Sequence, residues 1–303
     1  MEPITRILCP VDFSEASSHA IDHATAIARW YKASITALHV YDPTLMPVPG
    51  LPPGKDRLPE PVLNRVQAEV AACFEGAKRL GVGVDVQITT GRPASDILEC
   101  AMALAANLIV MGTHGASGFE HLVLGSVTER VLRKAPCPVL TVPPHARATS
   151  KLPFRRLLCP VDFSDSSLAA LDLALSLAQE SDAALTLLHV IEWPWVEPPP
   201  PRWEDLPREQ AAALTEYRRY LVSGASDRLK ALVPDRARDR CGPAPRIAHG
   251  KSYAEILRVA TEESADLIVM GIHGRNAVDL VLFGSTTNHV VRGATCPVLT
   301  LRC

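Results

Sequence analysis

Short apolar runs alternate along this chain with longer stretches in which apolar residues recur every three or four positions. In the first half the short runs predict strands at residues 4–12, 34–40, 84–90, 108–111 and 139–142. Between them, Ala16, Ala20, Ala24, Ile27 and Ala28 share one helical face behind Ser14, a residue type suited to capping a helix. Helices are also predicted over 62–80, 94–106 (with Pro93 opening it) and 127–134, and a proline-rich loop over 41–61. In the second half strands are predicted at 155–162, 184–190, 244–249, 267–270 and 298–301. Strand and helix alternate throughout. That alternation predicts a parallel sheet covered by helices on both faces, with right-handed crossovers.

The chain repeats itself. RILCPVDFS at 6–14 returns as RLLCPVDFS at 156–164, and ITALHV at 35–40 as LTLLHV at 185–190, both offset by 150. NLIVMGTHG at 107–115 returns as DLIVMGIHG at 266–274, and CPVLTV at 137–142 as CPVLTL at 296–301, both offset by 159. The halves therefore share one fold, and the second carries nine extra residues after its second strand. The polar, proline-bounded segment 143–153 separates a domain at 1–145 from one at 152–303.

Composition narrows the class. A net charge of −2 removes the simplest electrostatic case for nucleic acid as a partner. No apolar run reaches the roughly 20 residues of a membrane span. The start, MEPITRILCPVDFSE, lacks the basic flank and apolar core of a signal peptide, so a cytoplasmic location is expected. The eight cysteines form no CxxC pair and read as reduced, structural thiols.

The candidate chemistry lies where strands end. In a doubly wound sheet, ligands bind outside the carboxyl ends of the strands. Asp12, His39-Val40, Gly91 and Met111-Gly112 stand at those ends, with Asp162, His189-Val190, Gly250 and Met270-Gly271 as counterparts. After the fourth strand comes MGTHGASGFEHLVLGS (111–126), repeated as MGIHGRNAVDLVLFGS (270–285). Gly112, Gly115 and Gly125-Ser126 match Gly271, Gly274 and Gly284-Ser285 in spacing. Glycines let backbone N–H groups converge on an anion, and a helix start adds unpaired N–H groups and partial positive charge. The bland alternative is that these glycines only shape a loop.

Other residues carry similar pairs of readings. Asp12 and Asp162 would contact ligand, or cap the helices that follow. His39 and His189 read as core histidines bonded to backbone, whereas His114 and His273, inside the loops, are candidates for phosphate or ribose contact. His19 and His23 read as a solvent-facing pair. The loops differ where Gly118 faces Ala277, and Arg275 offers the second loop a phosphate contact, so unequal affinities are expected. The proline-rich segments after the second strands, one with Trp193, Trp195 and Trp203, read as lids or as solvated connectors.

ILCPVDFS, the GxxG-x9-GS signature and the closing CPVLTV resemble the universal stress proteins, in tandem and of the ATP-binding branch. The resemblance implies two Rossmann-like (adenine nucleotide alpha hydrolase-like) domains, each a five-stranded parallel sheet in the order 3-2-1-4-5. It implies that Asp12 and Asp162, just after Pro10 and Pro160, lie near adenosine and face ribose or a metal ion. The backbone of Val40 and Val190 would read the adenine edge. Met111, Gly112, His114, Gly115, Gly125, Ser126 and Val127 would surround ribose and phosphates, as would Met270, Gly271, His273, Gly274, Gly284, Ser285 and Thr286. ATP, accompanied by Mg2+ or Mn2+, is the implied cofactor. The resemblance also implies antiparallel pairing of Val139–Val142 with Val298–Leu301 inside one chain, and a further homodimer.

No Walker sequence and no base with an orienting partner stand out, so at most slow ATP hydrolysis is expected. The expected function is a nucleotide-responsive stress or regulatory factor. The alternatives are an interaction or chaperone-like protein with vestigial pockets, and a slow ATPase.

Overall fold

The first half runs β1 (Arg6–Pro10), α1 (Glu15–Tyr31), β2 (Ser34–Tyr41), α2 (Glu60–Cys73), α3 (Glu75–Arg79), β3 (Val84–Thr90), α4 (Pro93–Ala103), β4 (Leu108–Gly112), α5 (Ser126–Lys134) and β5 (Val139–Val142). The second runs β6 (Arg156–Pro160), α6 (Asp165–Ser181), β7 (Ala184–Ile191), α7 (Arg208–Ala231), β8 (Ala244–His249), α8 (Ser252–Glu262), β9 (Leu267–Gly271), α9 (Ser285–Gly293) and β10 (Val298–Leu301). This computed structural model describes residues 4–42, 58–114, 124–144, 146, 154–192, 207–235, 242–273 and 284–302.

All ten strands form one sheet, in the order β3-β2-β1-β4-β5-β10-β9-β6-β7-β8. Each half is parallel and has the order 3-2-1-4-5 in its own numbering. β5 and β10 join the halves antiparallel, with Leu140 opposite Leu299. Thr141 Oγ1 donates to the Val298 carbonyl (3.1 Å), and Thr300 Oγ1 to that of Val139 (3.3 Å). Both threonines are fully buried, so the seam satisfies its own polar groups.

The apolar runs are continuous because both sheet faces are covered. In β4, Val110 enters a core beneath α1, α2 and α6, while Ile109 enters the opposite core beneath α4, α5 and α8. Both cores continue across the seam. Each such side chain, fully removed from water, contributes about 1.5–3 kcal/mol. An Ile109→Asp change would bury an unpaired carboxylate there and unfold the half. Helix α1 buries the predicted face, including Ala16, Ala20, Ala24, Ile27 and Ala28.

Two expectations change. The helix predicted over 62–80 is two helices, broken at Phe74, which has φ −103° and ψ 8° and is fully buried. Seating that ring in the core, next to the weak helix former Gly76, outweighs helix continuity. In the second half the corresponding stretch is one helix of 24 residues, α7. His23 is not solvent-facing: it is 1% exposed, and only His19 is partly accessible.

Candidate functional site

β1 passes into α1 through Val11, Asp12, Phe13 and Ser14. Asp12 Oδ1 accepts the Ser14 backbone N–H (3.1 Å) and its hydroxyl (2.5 Å), and Ser14 Oγ accepts the Ser17 N–H at the head of α1 (3.2 Å). The aspartate thus supports the helix cap indirectly, while the residue stays exposed at the strand exit. Phe13 sits in the left-handed region (φ 63°), which turns the chain sharply from strand to helix. His39 anchors this turn from β2: its Nδ1 lies 2.8 Å from the Val11 carbonyl, and its ring lies 4.9 Å from that of Phe13. Asp162, Phe163, Ser164 and His189 repeat the arrangement, with Arg228 4.0 Å above the Phe163 ring. His39 and His189 are therefore backbone-bonded, as their sequence positions suggest.

The exit of β2 is open on one side. The Val11 N–H donates to the Leu38 carbonyl (2.8 Å), the last link from β1, while Gly91 N–H reaches the Tyr41 carbonyl from the β3 side (3.0 Å). Peptide groups alternate sides along a strand. Val40 therefore aims its N–H and C=O past the end of β1, which stops at Pro10. Val190 does the same beyond Pro160, since Val161 N–H donates to Leu188 (2.8 Å).

At the exit of β4, Gly112 has a packing role. A Cβ there would lie 2.8 Å from Ala16 Cβ, and one on Gly271 would lie 2.7 Å from the Ser166 carbonyl carbon. These glycines let the first turns of α1 and α6 close down on the strand ends. Met111 and Met270 are buried beneath them. Thr128 Oγ1 then donates to the Gly112 carbonyl and Thr287 Oγ1 to that of Gly271, both at 3.0 Å, tying the starts of α5 and α9 to the same strands. Gly125 N–H donates to Thr113 (3.0 Å) and Gly284 N–H to Ile272 (3.2 Å), closing the intervening loops at their necks. Within those loops, Gly115, Gly118, Gly274 and Arg275 lie outside the described residues, as do the proline-rich stretches.

Neither α5 nor α9 has a side-chain N-cap: Gly125 and Gly284 occupy the cap positions. The first-turn N–H groups, from Ser126 and Val127 and from Ser285 and Thr286, thus stand at the positive end of the helix dipole without a side-chain cap. The structure brings together the exits of β1, β2 and β4 and this helix start in each half. The threonines tying them were not singled out from sequence. Their signal was a hydroxyl two residues after Gly-Ser in both copies.

The crevices differ in two polar details. His114 Nδ1 is engaged by Thr113 Oγ1 at 2.8 Å. In the second half Ile272 replaces that threonine, and both ring nitrogens of His273 are buried with no partner among the described residues. Ser166, standing where the first half has Ala16, is 7% exposed, and its hydroxyl is also buried and unpartnered. The thiols supply no nucleophile here. Burial pushes Cys9 and Cys159, in the strands leading to the site, far above the ordinary thiol range, so both stay protonated.

A doubly wound unit of this topology, present twice and joined edge to edge, defines a tandem Rossmann-like α/β protein. The chain belongs to the universal stress protein family, whose model matches residues 3–143 and again 153–302. It is 27% identical over 305 residues to a universal stress protein of Mycolicibacterium smegmatis, covering 98% of this chain and 96% of that one. One from Methanocaldococcus jannaschii is 37% identical over 139 residues, covering 45% of this chain and 81% of that one. The crystal structure of a universal stress protein from Archaeoglobus fulgidus superposes with a TM-score of 0.66 at 22% identity, covering 100% of this chain and 99% of that one. No helix among the described residues is long and apolar enough to cross a membrane.

Proposed function

We propose that each half binds an adenine nucleotide, ATP, in the crevice between the exits of β1 and β4 or of β6 and β9, and that the protein is a cytoplasmic, nucleotide-responsive stress factor. The observation that carries this reading is the uncapped start of α5 and of α9, tied by Thr128 and Thr287 to the adjoining strand ends. Such a helix start offers converging N–H groups to a phosphate. The peptide of Val40 or Val190 stands at the other end of the same crevice, where an N–H and a C=O side by side match the donor and acceptor on an adenine edge. The carboxylates of Asp12 and Asp162 would flank the space between. They would approach ribose hydroxyls, or a divalent ion carried in on the phosphates. Among the described residues no group of three or more His, Cys, Asp or Glu side chains could hold a metal by itself, so Mg2+ or Mn2+ would enter with the nucleotide.

Bound nucleotide stabilises whatever state binds it. Purified protein is expected to release adenine nucleotide on heat denaturation, and ATP with Mg2+ to raise the melting temperature of stripped protein. No release, together with an unchanged melting temperature in excess ATP, would overturn the proposal.

A further inference from the structure

A mostly apolar cavity lies at the opposite ends of the strands from both crevices. It has a volume of ≈340 Å³ and sits between α1 and α6, above the seam where β5 meets β10. Both halves build it: Ile27 and Trp30 from α1, Leu173 and Leu177 from α6, and Leu140 and Leu299 from the seam strands. One edge is fixed by a bond between the two helices, in which Tyr31 Oη donates to Glu180 Oε2 (2.5 Å). Neither half alone supplies both walls of this half-open space.

Several polar groups on the wall are already engaged. Asn107 Oδ1 accepts three donors, the N–H and hydroxyl of Thr5 and the N–H of Arg6, at 2.9–3.0 Å. Ser181 Oγ donates to the Leu177 carbonyl (2.6 Å), and the Tyr31 hydroxyl proton is committed to Glu180. Cys137 is uncharged at neutral pH, because burial pushes its thiol up to about 11. Water needs two to four polar partners to settle in such a place. A wall whose oxygens are engaged offers it few. The volume is within the range of small-molecule pockets, which are mostly apolar and lined by aromatic side chains. It is also more than twice that of an engineered cavity of about 150 Å³ that stays dry and takes up benzene.

We propose that this cavity is a binding site for an uncharged, apolar small molecule, of the size of a two-ring aromatic or an aliphatic chain of about ten carbons. Its ligand bridges the two halves and sits against the indole of Trp30, which is partly exposed at the rim. The site is independent of the nucleotide reading, because no residue named here belongs to either crevice.

The test uses the full chain and N-phenyl-1-naphthylamine, a neutral apolar probe that fluoresces brightly only out of water. Wild-type protein is expected to bind about one probe per chain, saturably, with a blue-shifted emission that excess decanol competes away. Leu177→Trp and, separately, Leu173→Phe fill the space from α6. Each is expected to weaken probe binding at least tenfold, while the melting temperature holds or rises and any ATP response is unchanged. Two variants are used so that a packing failure in one leaves the other informative. Probe emission no brighter with wild-type protein than in buffer overturns the proposal. So does undiminished binding in a folded, cavity-filled variant, which would place the probe elsewhere.

Discussion

His39 holds the carbonyl of Val11 from the neighbouring strand, Nδ1 to oxygen, at 2.8 Å, and His189 holds Val161 in the same way at 2.7 Å. A carbonyl only accepts, so Nδ1 is the donor in each bond. The bond pins the residue immediately before Asp12, at the point where β1 turns toward α1. His39→Phe keeps a ring beside Phe13 and leaves the buried Val11 carbonyl without its donor. The expected cost is about 1–3 kcal/mol of stability, read as a lower urea midpoint at an unchanged slope. Under the nucleotide reading the first site also weakens, because Asp12 and Ser14 lose their anchor. A wild-type midpoint in His39→Phe would show that the bond contributes nothing.

The orphaned polar groups of the second crevice lead to a prediction about rank. Buried donors and acceptors without partners carry a penalty that a ligand relieves on binding. His273 and Ser166 carry it in the second half, whereas Ala16 and the Thr113–His114 bond leave less to relieve in the first. Under the nucleotide reading, the second site is therefore expected to bind ATP about tenfold more tightly. Ser126→Glu and Ser285→Glu place an acid in the first turn of α5 or α9, which suits the helix but repels phosphate. Calorimetric titration should lose the tighter class only in Ser285→Glu and the weaker class only in Ser126→Glu. Ser166→Ala should weaken the tighter class without lowering the melting temperature. Loss of the tighter class in Ser126→Glu would reverse the ranking.

Stability at mildly acid pH should depend on His23. Its ring is buried, its Nδ1 lies 2.8 Å from the His19 carbonyl, and its Nε2 has no partner. Desolvation, ahead of every opposing influence, lowers its pKa below the ordinary 6.5. Below pH 6.5 the unfolded chain takes up a proton that the folded ring refuses. The unfolded state then binds more protons, so stability falls as pH drops through 6.5 and keeps falling until the folded ring protonates. Above 6.5 both states are neutral and the effect vanishes. Leu173 occupies the matching position in α6, so leucine suits this helix. His23→Leu should flatten the fall in melting temperature between about pH 7 and 5 and change it little at pH 8. Parallel curves for the two proteins would rule the histidine out.

Much of this architecture is legible in the chain because it occurs twice. The repeat of RILCPVDFS and of CPVLTV locates β1, β6, β5 and β10, and the apolar runs read as buried strands because both faces are covered. What could not be read depends on neighbours distant in sequence. Phe74 breaks a helix for the sake of a core assembled from α1, β2 and β3. His23 is buried by the packing of α1, on a helical pattern that says only which face is inward. Ser166 differs from Ala16 by one oxygen, and that oxygen matters only because Gly271 lets α6 close over it. Gly112 and Gly271, candidates for phosphate contact in the sequence, also make room for the first turns of α1 and α6, which only the packed structure reveals.

The seam itself makes the last prediction. β5 is a short strand whose outer edge is covered only by β10, through the antiparallel pairing of Val139–Val142 with Val298–Leu301. An uncovered edge of four apolar or hydroxylic residues, VLTV, pairs readily with another strand. The sequence VLTL of β10 is nearly the same. A fragment ending at residue 146 therefore carries an edge that fits its own copy as it fits β10. It is expected to sediment as a homodimer at micromolar concentration, in which the Leu140 side chains meet as Leu140 and Leu299 meet in the intact chain. Thr141→Lys in the fragment puts an ammonium group into a position that is fully buried in the paired state, at a desolvation cost of several kcal/mol. That variant should sediment as a monomer while keeping the helical circular dichroism of the parent fragment. A parent fragment that is monomeric at tens of micromolar would mean that β5 pairs with β10 only because the two share a chain.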